Sequence, residues 1–151
     1  MKVGDICGRN VVTVREFEEL AAAAQLMREH HIGYLVVVEP NVTERAAVPV
    51  GVVTDRDIVV GVIAKGADPR SLRVGDVMTR EPVLAEADSS VSAALHRMRE
   101  IGVRRLPVVG SMGQLLGVLS LDDVLDAFAE ELMDVARSIR HELKMEGTLR
   151  P

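Results

Sequence analysis

Gly51-Val52-Val53-Thr54-Asp55-Arg56-Asp57 is followed, at a spacing of 66, by Gly117-Val118-Leu119-Ser120-Leu121-Asp122-Asp123. Both stretches have a glycine, an apolar pair, a hydroxyl residue and, three positions on, an aspartate. Working outward, Val3-Gly4-Asp5-Ile6 returns as Val74-Gly75-Asp76-Val77 and Met27-Arg28-Glu29 as Met98-Arg99-Glu100, both at a spacing of 71. The second copy has therefore lost five residues of loop. Two homologous units on one short chain are expected to pack about a pseudo-twofold axis, and function is sought first at their shared face.

The chain has 151 residues, and a unit of about 65 residues is marginal alone, so the halves are expected to stabilise each other as one tandem module. The spacing predicts a first repeat over 1–66, a linker over 67–73, a second repeat over 74–130 and a C-terminal helical extension with its tail over 131–151. Hydrophobic residues make up 48%, yet no apolar run reaches the roughly 18 residues a bilayer crossing needs, which predicts a soluble protein with no membrane partner. Met1-Lys2 is followed at once by polar Gly4-Asp5, unlike a signal peptide. The single Cys7 can form no internal disulfide, which fits a reducing cytoplasm, and reads as a small buried apolar side chain. A net charge of −5 without a lysine- or arginine-rich stripe argues against direct nucleic-acid binding.

Each copy reads as strand, helix, strand, strand, helix, an α/β (α+β) pattern of two βαββα repeats. Val11 to Val14 is a β-branched run. Phe17 to about His31 is a helix with Leu20, Ala23, Ala24 and Met27 on one face, and Val91, Ala94, Leu95, Met98 and Ile101 repeat the pattern. Strands are expected at Tyr34–Val38 and Val48–Val53, joined by the polar loop Glu39 to Ala47, and at Arg105–Val109 and Leu115–Leu119, joined by a tight turn at Gly110–Gly113. Pro107 removes a ladder donor, which predicts an edge position or a strand start. A second helix is expected from Asp55 to Lys65-Gly66. The last runs from Leu121 to about Met145, with Val124, Leu125, Phe128, Leu132, Val135 and Ile139 at intervals of three and four. That stripe is longer than a small unit needs, which points to a second subunit on its far half; folding back over its own module is the alternative.

Thr54 and Asp57, and again Ser120 and Asp123, fit a capping box at the helix start. Capping alone explains neither the strand before each box nor the glycine three residues ahead of the hydroxyl. A strand-to-helix turn with free N–H groups, a hydroxyl and a carboxylate can also receive a sugar phosphate, the carboxylate accepting both ribose hydroxyls. Arg104 and Arg105 point to opposite faces of their strand, so at least one must reach solvent or an anion.

With these motifs, and with Ile32-Gly33-Tyr34-Leu35-Val36-Val37 and Val103-Arg104-Arg105-Leu106-Pro107-Val108, the sequence from residue 3 to about 128 resembles the tandem cystathionine-β-synthase (CBS) domain family, or Bateman module. The resemblance implies two clefts between the repeats that hold an adenosine derivative, AMP foremost, with ADP, ATP, NAD or S-adenosylmethionine as alternatives. By motif, Asp57 and Asp123 would hold ribose hydroxyls, and Thr54 and Ser120 would meet ribose or phosphate. The adenine would lie against the opposite repeat: around Asn10–Thr13 and Ile32–Tyr34 for the Asp123 cleft, with Thr13, Ile32, Gly33 and Tyr34, and around Glu81–Leu84 and Val103–Arg105 for the Asp57 cleft, with Val83 and Val103. Arg105 in particular, with Arg104 and Arg56, would bind phosphate. The cleft with Thr54, Arg56, Asp57, Arg104 and Arg105 is expected to bind a phosphorylated nucleotide more tightly than that with Ser120, Asp122 and Asp123, where Asp122 stands in place of Arg56. Tyr34 reads either as an adenine-stacking group or as a half-buried strand residue.

No catalytic site emerges: P-loop and Gly-x-Gly-x-x-Gly patterns are absent, and His30-His31, His96 and His141 lack metal-ligand spacing. The reading is a non-enzymatic, stand-alone regulatory sensor that needs no metal and passes a ligand-driven change to an effector protein. The resemblance also implies a homodimer, often disk-shaped. The alternatives are a homodimeric interaction scaffold with empty clefts, and a metal-dependent nucleotide hydrolase built on Asp55, Asp57, Asp122 and Asp123.

Overall fold

The computed structural model describes residues 1–40 and 46–150. The interior of the polar loop expected between Glu39 and Ala47 lies outside them. Elements run in the order α1 (Val3–Ile6), β1 (Thr13–Val14), α2 (Leu20–His30), β2 (Tyr34–Pro40), β3 (Ala47–Thr54), α3 (Asp55–Ile58, continued by a π-helical turn Val59–Ile63), α4 (Val74–Val77), β4 (Thr79–Arg80), β5 (Ala85–Glu86), α5 (Val91–Ile101), β6 (Arg105–Val109), β7 (Leu115–Ser120) and α6 (Leu121–Leu149). The linker contains a short 3-10 turn, Pro69–Ser71, with Asp68 accepting from Arg70 N–H at its start.

The two sheets have orders β1-β2-β3-β4 and β5-β6-β7. In each, a two-residue strand runs parallel to the middle strand, which pairs antiparallel with the next. The first strand is shorter than expected, Thr13–Val14, since only Val14 of that pair is buried. Helix α2 starts at Leu20, not Phe17. Its buried face is Leu20, Ala23 and Met27, while Phe17 and Ala24 are exposed. Helices α2 and α5 end alike, on residues in the left-handed region: His31 (φ 54) and its counterpart Gly102 (φ 71).

Pro107 is not at an edge. It is buried in β6, the middle strand, opposite Val118. Val118 exchanges both of its backbone bonds with Gly8, so it asks nothing of Pro107. The missing donor costs one bond toward the short first strand, the bond that Val36, Pro107's counterpart, makes to the Val12 carbonyl at 3.4 Å.

The two cores are built by exchange. One gathers Val14, Ala23, Met27, Leu35, Val37 and Val53 of the first repeat with Val74 and Met78, which begin the second. The other gathers Ala85, Val91, Ala94, Met98, Leu106, Val108 and Leu119 with Val3 and Cys7, which begin the first. Val3 and Gly4 N–H donate to Ser89 and Ala87 carbonyls; Val74 and Gly75 donate to Glu18 and Glu16. Segment 79–80 pairs with β3 as Gly8 pairs with Val118 of β7. Each opening segment completes the other unit's core, the physical reason two marginal halves hold together. Cys7, expected as a small buried apolar group, is 7% exposed in this packing, and burial raises its thiol pKa.

Candidate functional site

The glycines ahead of each hydroxyl find their reason in this exchange, not in a ligand. A Cβ on Gly51 would stand 2.8 Å from Met78 Sδ and 2.9 Å from the Thr79 carbonyl; one on Gly117 would stand 2.4 Å from the Gly8 carbonyl and 3.0 Å from Cys7 Sγ. Bare backbone lets the opening segment cross the strand just before the strand ends in the hydroxyl.

At those ends both capping boxes form. Asp57 N–H donates to Thr54 Oγ1 (3.1 Å) and Thr54 N–H to Asp57 Oδ2 (2.9 Å). Asp123 N–H donates to Ser120 Oγ (3.1 Å) and Ser120 N–H to Asp123 Oδ2 (2.7 Å). The boxes differ in one proton. The Ser120 hydroxyl donates to Asp123 Oδ2 at 2.7 Å, whereas Thr54 Oγ1 serves its box as an acceptor and, among the described residues, its O–H donates to none. Among the described residues these bonds engage only Oδ2 of each aspartate, which leaves Oδ1 to accept from a sugar hydroxyl.

Register carries the boxes to the middle of the molecule. Tyr34 lies opposite Thr54, and Arg105 lies opposite Ser120. Tyr34 and Arg105 are counterparts in the repeat, and the Arg105 guanidinium carbon stands 5.8 Å from the centre of the Tyr34 ring. Two residues related by a twofold touch only beside the axis, so Thr54, Tyr34, Arg105 and Ser120 are brought together there. Burial pushes the Tyr34 phenol well above its ordinary value, with Arg105 opposing it.

The other expected residues sit further out. Arg56 and Asp57 line a depression of about 350 Å³ with Val60, Gly61 and Lys65, walled by Asp76 and Val77 of α4. Val103 and Arg104 line another, of about 610 Å³, with Ser92, Leu95, His96, Arg99 and Leu121. Arg56 and Arg104 thus open into different depressions. Gly33 lies against Asp55, whose N–H donates to its carbonyl, and a Cβ there would stand 2.4 Å from the Asp55 carboxylate. Its counterpart Arg104 accepts from Leu121 N–H in the same way. Ile32 packs on the first core; Thr13 and Val83 are exposed beside the short strands. The second depression, where His96 lies between Arg99 (3.1 Å from Nδ1) and Glu100 (3.1 Å from Nε2), is not among the sites expected from the sequence. The i, i+3 and i, i+4 spacing on α5 was its only signal.

The model of the family described as CBS domain matches twice, over residues 3–63 and 74–130. The chain is 38% identical over 120 residues to Hypoxic response protein 1 of Mycobacterium tuberculosis, 80% of each chain. It is 34% identical over 125 residues to an uncharacterized protein of Methanopyrus kandleri, covering 83% of this chain but 61% of that one. Among solved structures, Hypoxic Response Protein I with two coordinated zinc ions superposes with a TM-score of 0.70 at 34% identity, covering 83% of this chain and 98% of that one. The CBS domain pair of protein MJ0100, in complex with 5′-methylthioadenosine and S-adenosyl-L-methionine, shares the fold with a TM-score of 0.72 at 23% identity, covering 87% and 98%. Among the described residues of this chain, no group of three or more His, Cys, Asp or Glu is placed to hold a metal ion, and no helix is long and apolar enough to cross a membrane.

Proposed function

Because the chain belongs to the CBS-domain family as a tandem pair, we propose that it is a non-enzymatic regulatory sensor that takes an adenosine derivative, AMP foremost, between its repeats. The observation that carries this reading is the pair of hydroxyl–carboxylate turns at the ends of β3 and β7, flanking the Tyr34–Arg105 contact at the axis. A free carboxylate oxygen suits vicinal ribose hydroxyls, and an unspent Thr54 hydroxyl beside helix N–H groups suits a phosphate. That this fold can carry adenosine derivatives is supported by the MJ0100 pair.

Ligand charge is the switch. Arg105 is exposed and rests on a neutral ring, an interaction of about 0.5–1 kcal/mol at an exposed site. A phosphate beside Thr54 competes for that guanidinium with a charge-assisted hydrogen bond. The relative placement of the repeats then differs between free and bound states, and a partner protein reads the difference. The Thr54 cleft binds phosphorylated ligands more tightly than the Ser120 cleft, where the hydroxyl proton is already committed and Asp122 adds negative charge. The module acts in the cytoplasm as a homodimer. ADP, ATP, NAD and S-adenosylmethionine are the competing ligands.

Thermal unfolding with AMP, ATP, NAD or S-adenosylmethionine tests the reading. A ligand at 100 times its Kd adds about 2.7 kcal/mol, and Asp57→Ala with Asp123→Ala abolishes the gain. No shift with any of them favours the empty scaffold, and phosphate release from ATP with Mg²⁺ favours the hydrolase.

A further inference from the structure

Helix α6 has 29 residues and is therefore about 43 Å long. Only its first turns meet the module: Val124 is buried, while Leu125 (67%), Phe128 (48%), Leu132 (71%), Val135 (56%) and Ile139 (54%) are exposed. With Leu121 ahead of them they alternate at spacings of four and three, a heptad seam. The next two positions of that seam are Glu142 and Glu146. Charge is also divided along the helix. Asp126, Glu130, Glu131 and Asp134 make the near half acidic, and Arg137, Arg140 and Lys144 supply the cations of the far half.

We propose that α6 pairs antiparallel with α6 of a second copy, Leu132 of each facing Val135 of the other and Phe128 facing Ile139. A parallel pair would bury Glu142 against Glu142 and Glu146 against Glu146, and would set acidic half on acidic half. The antiparallel pair sets the acidic half on the half that carries Arg137, Arg140 and Lys144 and aligns the helix dipoles favourably. It also carries Glu142 and Glu146 of one copy past Leu125 and Leu121 of the other. Leu121 lines the 610 Å³ depression together with Arg99 and Arg104. The two seam glutamates, out of place in an apolar stripe, thus meet cations of the opposite module. This pairing specifies the homodimer proposed above and rests on that assembly.

Spin labels on the full chain test it, with Cys7→Ala and either Asp134→Cys or Lys144→Cys. Residue 134 lies near the crossing point and residue 144 far from it, so pulsed dipolar spectroscopy gives a short interlabel distance at 134. At 144 the axial offset alone is roughly 30 Å. Equal short distances at both sites would mean parallel pairing and would overturn the proposal. Long distances at both, with a dimer by light scattering, overturn the α6 pairing but leave the homodimer; a monomer at all concentrations sinks both. Independently, Arg99→Glu and Glu146→Arg each weaken dimerisation by about 10-fold and restore it when combined. A double variant no better than the singles removes the proposed contact.

Discussion

Tyr34 and Arg105 occupy matching positions in the two repeats and meet each other, the guanidinium carbon 5.8 Å from the ring centre. The contact marks the pseudo-twofold axis, and it is chemically one-sided, a neutral ring facing a cation. Whatever symmetry the duplication began with is broken at the spot where a ligand would sense both halves.

Tyr34 is the chain's single tyrosine and there is no tryptophan, so its optical signal is unmixed. Its folded-state pKa is raised by burial, so its contribution to stability is complete below the ordinary value of 10 and is lost as pH rises beyond it. Absorbance titration is expected to show ionisation above the free phenol's range, later still in Arg105→Ala. Tyr34→Phe is expected to remove the tyrosine share of the alkaline loss of stability. AMP is expected to change tyrosine fluorescence in the wild type and not in Arg105→Ala.

Loss of a capping hydroxyl has a separate signature. Thr54→Ala and Ser120→Ala each remove an N-cap acceptor and are expected to cost about 1 kcal/mol in urea unfolding. The affinity for AMP, measured by calorimetry, is expected to fall further in Thr54→Ala than in Ser120→Ala, because the Ser120 hydroxyl proton is committed to Asp123 and, among the described residues, that of Thr54 is not committed within its box.

Gly117→Ala sets a Cβ 2.4 Å from the Gly8 carbonyl, a backbone atom with no rotamer to change. The expected destabilisation is about 1–3 kcal/mol, above that of Gly51→Ala, whose Cβ would meet the Met78 side chain at 2.8 Å and a backbone atom, the Thr79 carbonyl, only at 2.9 Å. Since Cys7 lies on the displaced segment, its alkylation rate is expected to rise in Gly117→Ala and to stay near wild type in Gly51→Ala.

Glu16 and Arg80 join the exchanged segment to the first repeat at 2.9 Å. The Arg80 hydrogen bond holds the Glu16 carboxyl below its ordinary value of 4.5. Its stabilising effect is therefore present above that pH and is lost as pH falls through the lower folded value. Urea midpoints of wild type and Glu16→Gln are expected to differ slightly at pH 7 and to converge in acid; both partners are largely solvated, so high salt is expected to shrink the difference.

The duplication, the helices and the antiparallel strand pairs were legible in the chain because periodicity and turn residues act locally. The hydroxyl–aspartate turns were legible for the same reason, since donor and acceptor are three residues apart. What sequence could not reveal was the exchange of Val3–Cys7 and Val74–Met78 between cores, because both segments carry the same pattern and fit either unit. Pro107 misled for a related reason: its nitrogen faces the short strand β5 and not β7, where Val118 bonds Gly8, and that orientation is set by register. The chain alone determined which side chains end each strand. The tertiary structure decided which ones meet at the axis, because that depends on how two near-identical units close upon each other.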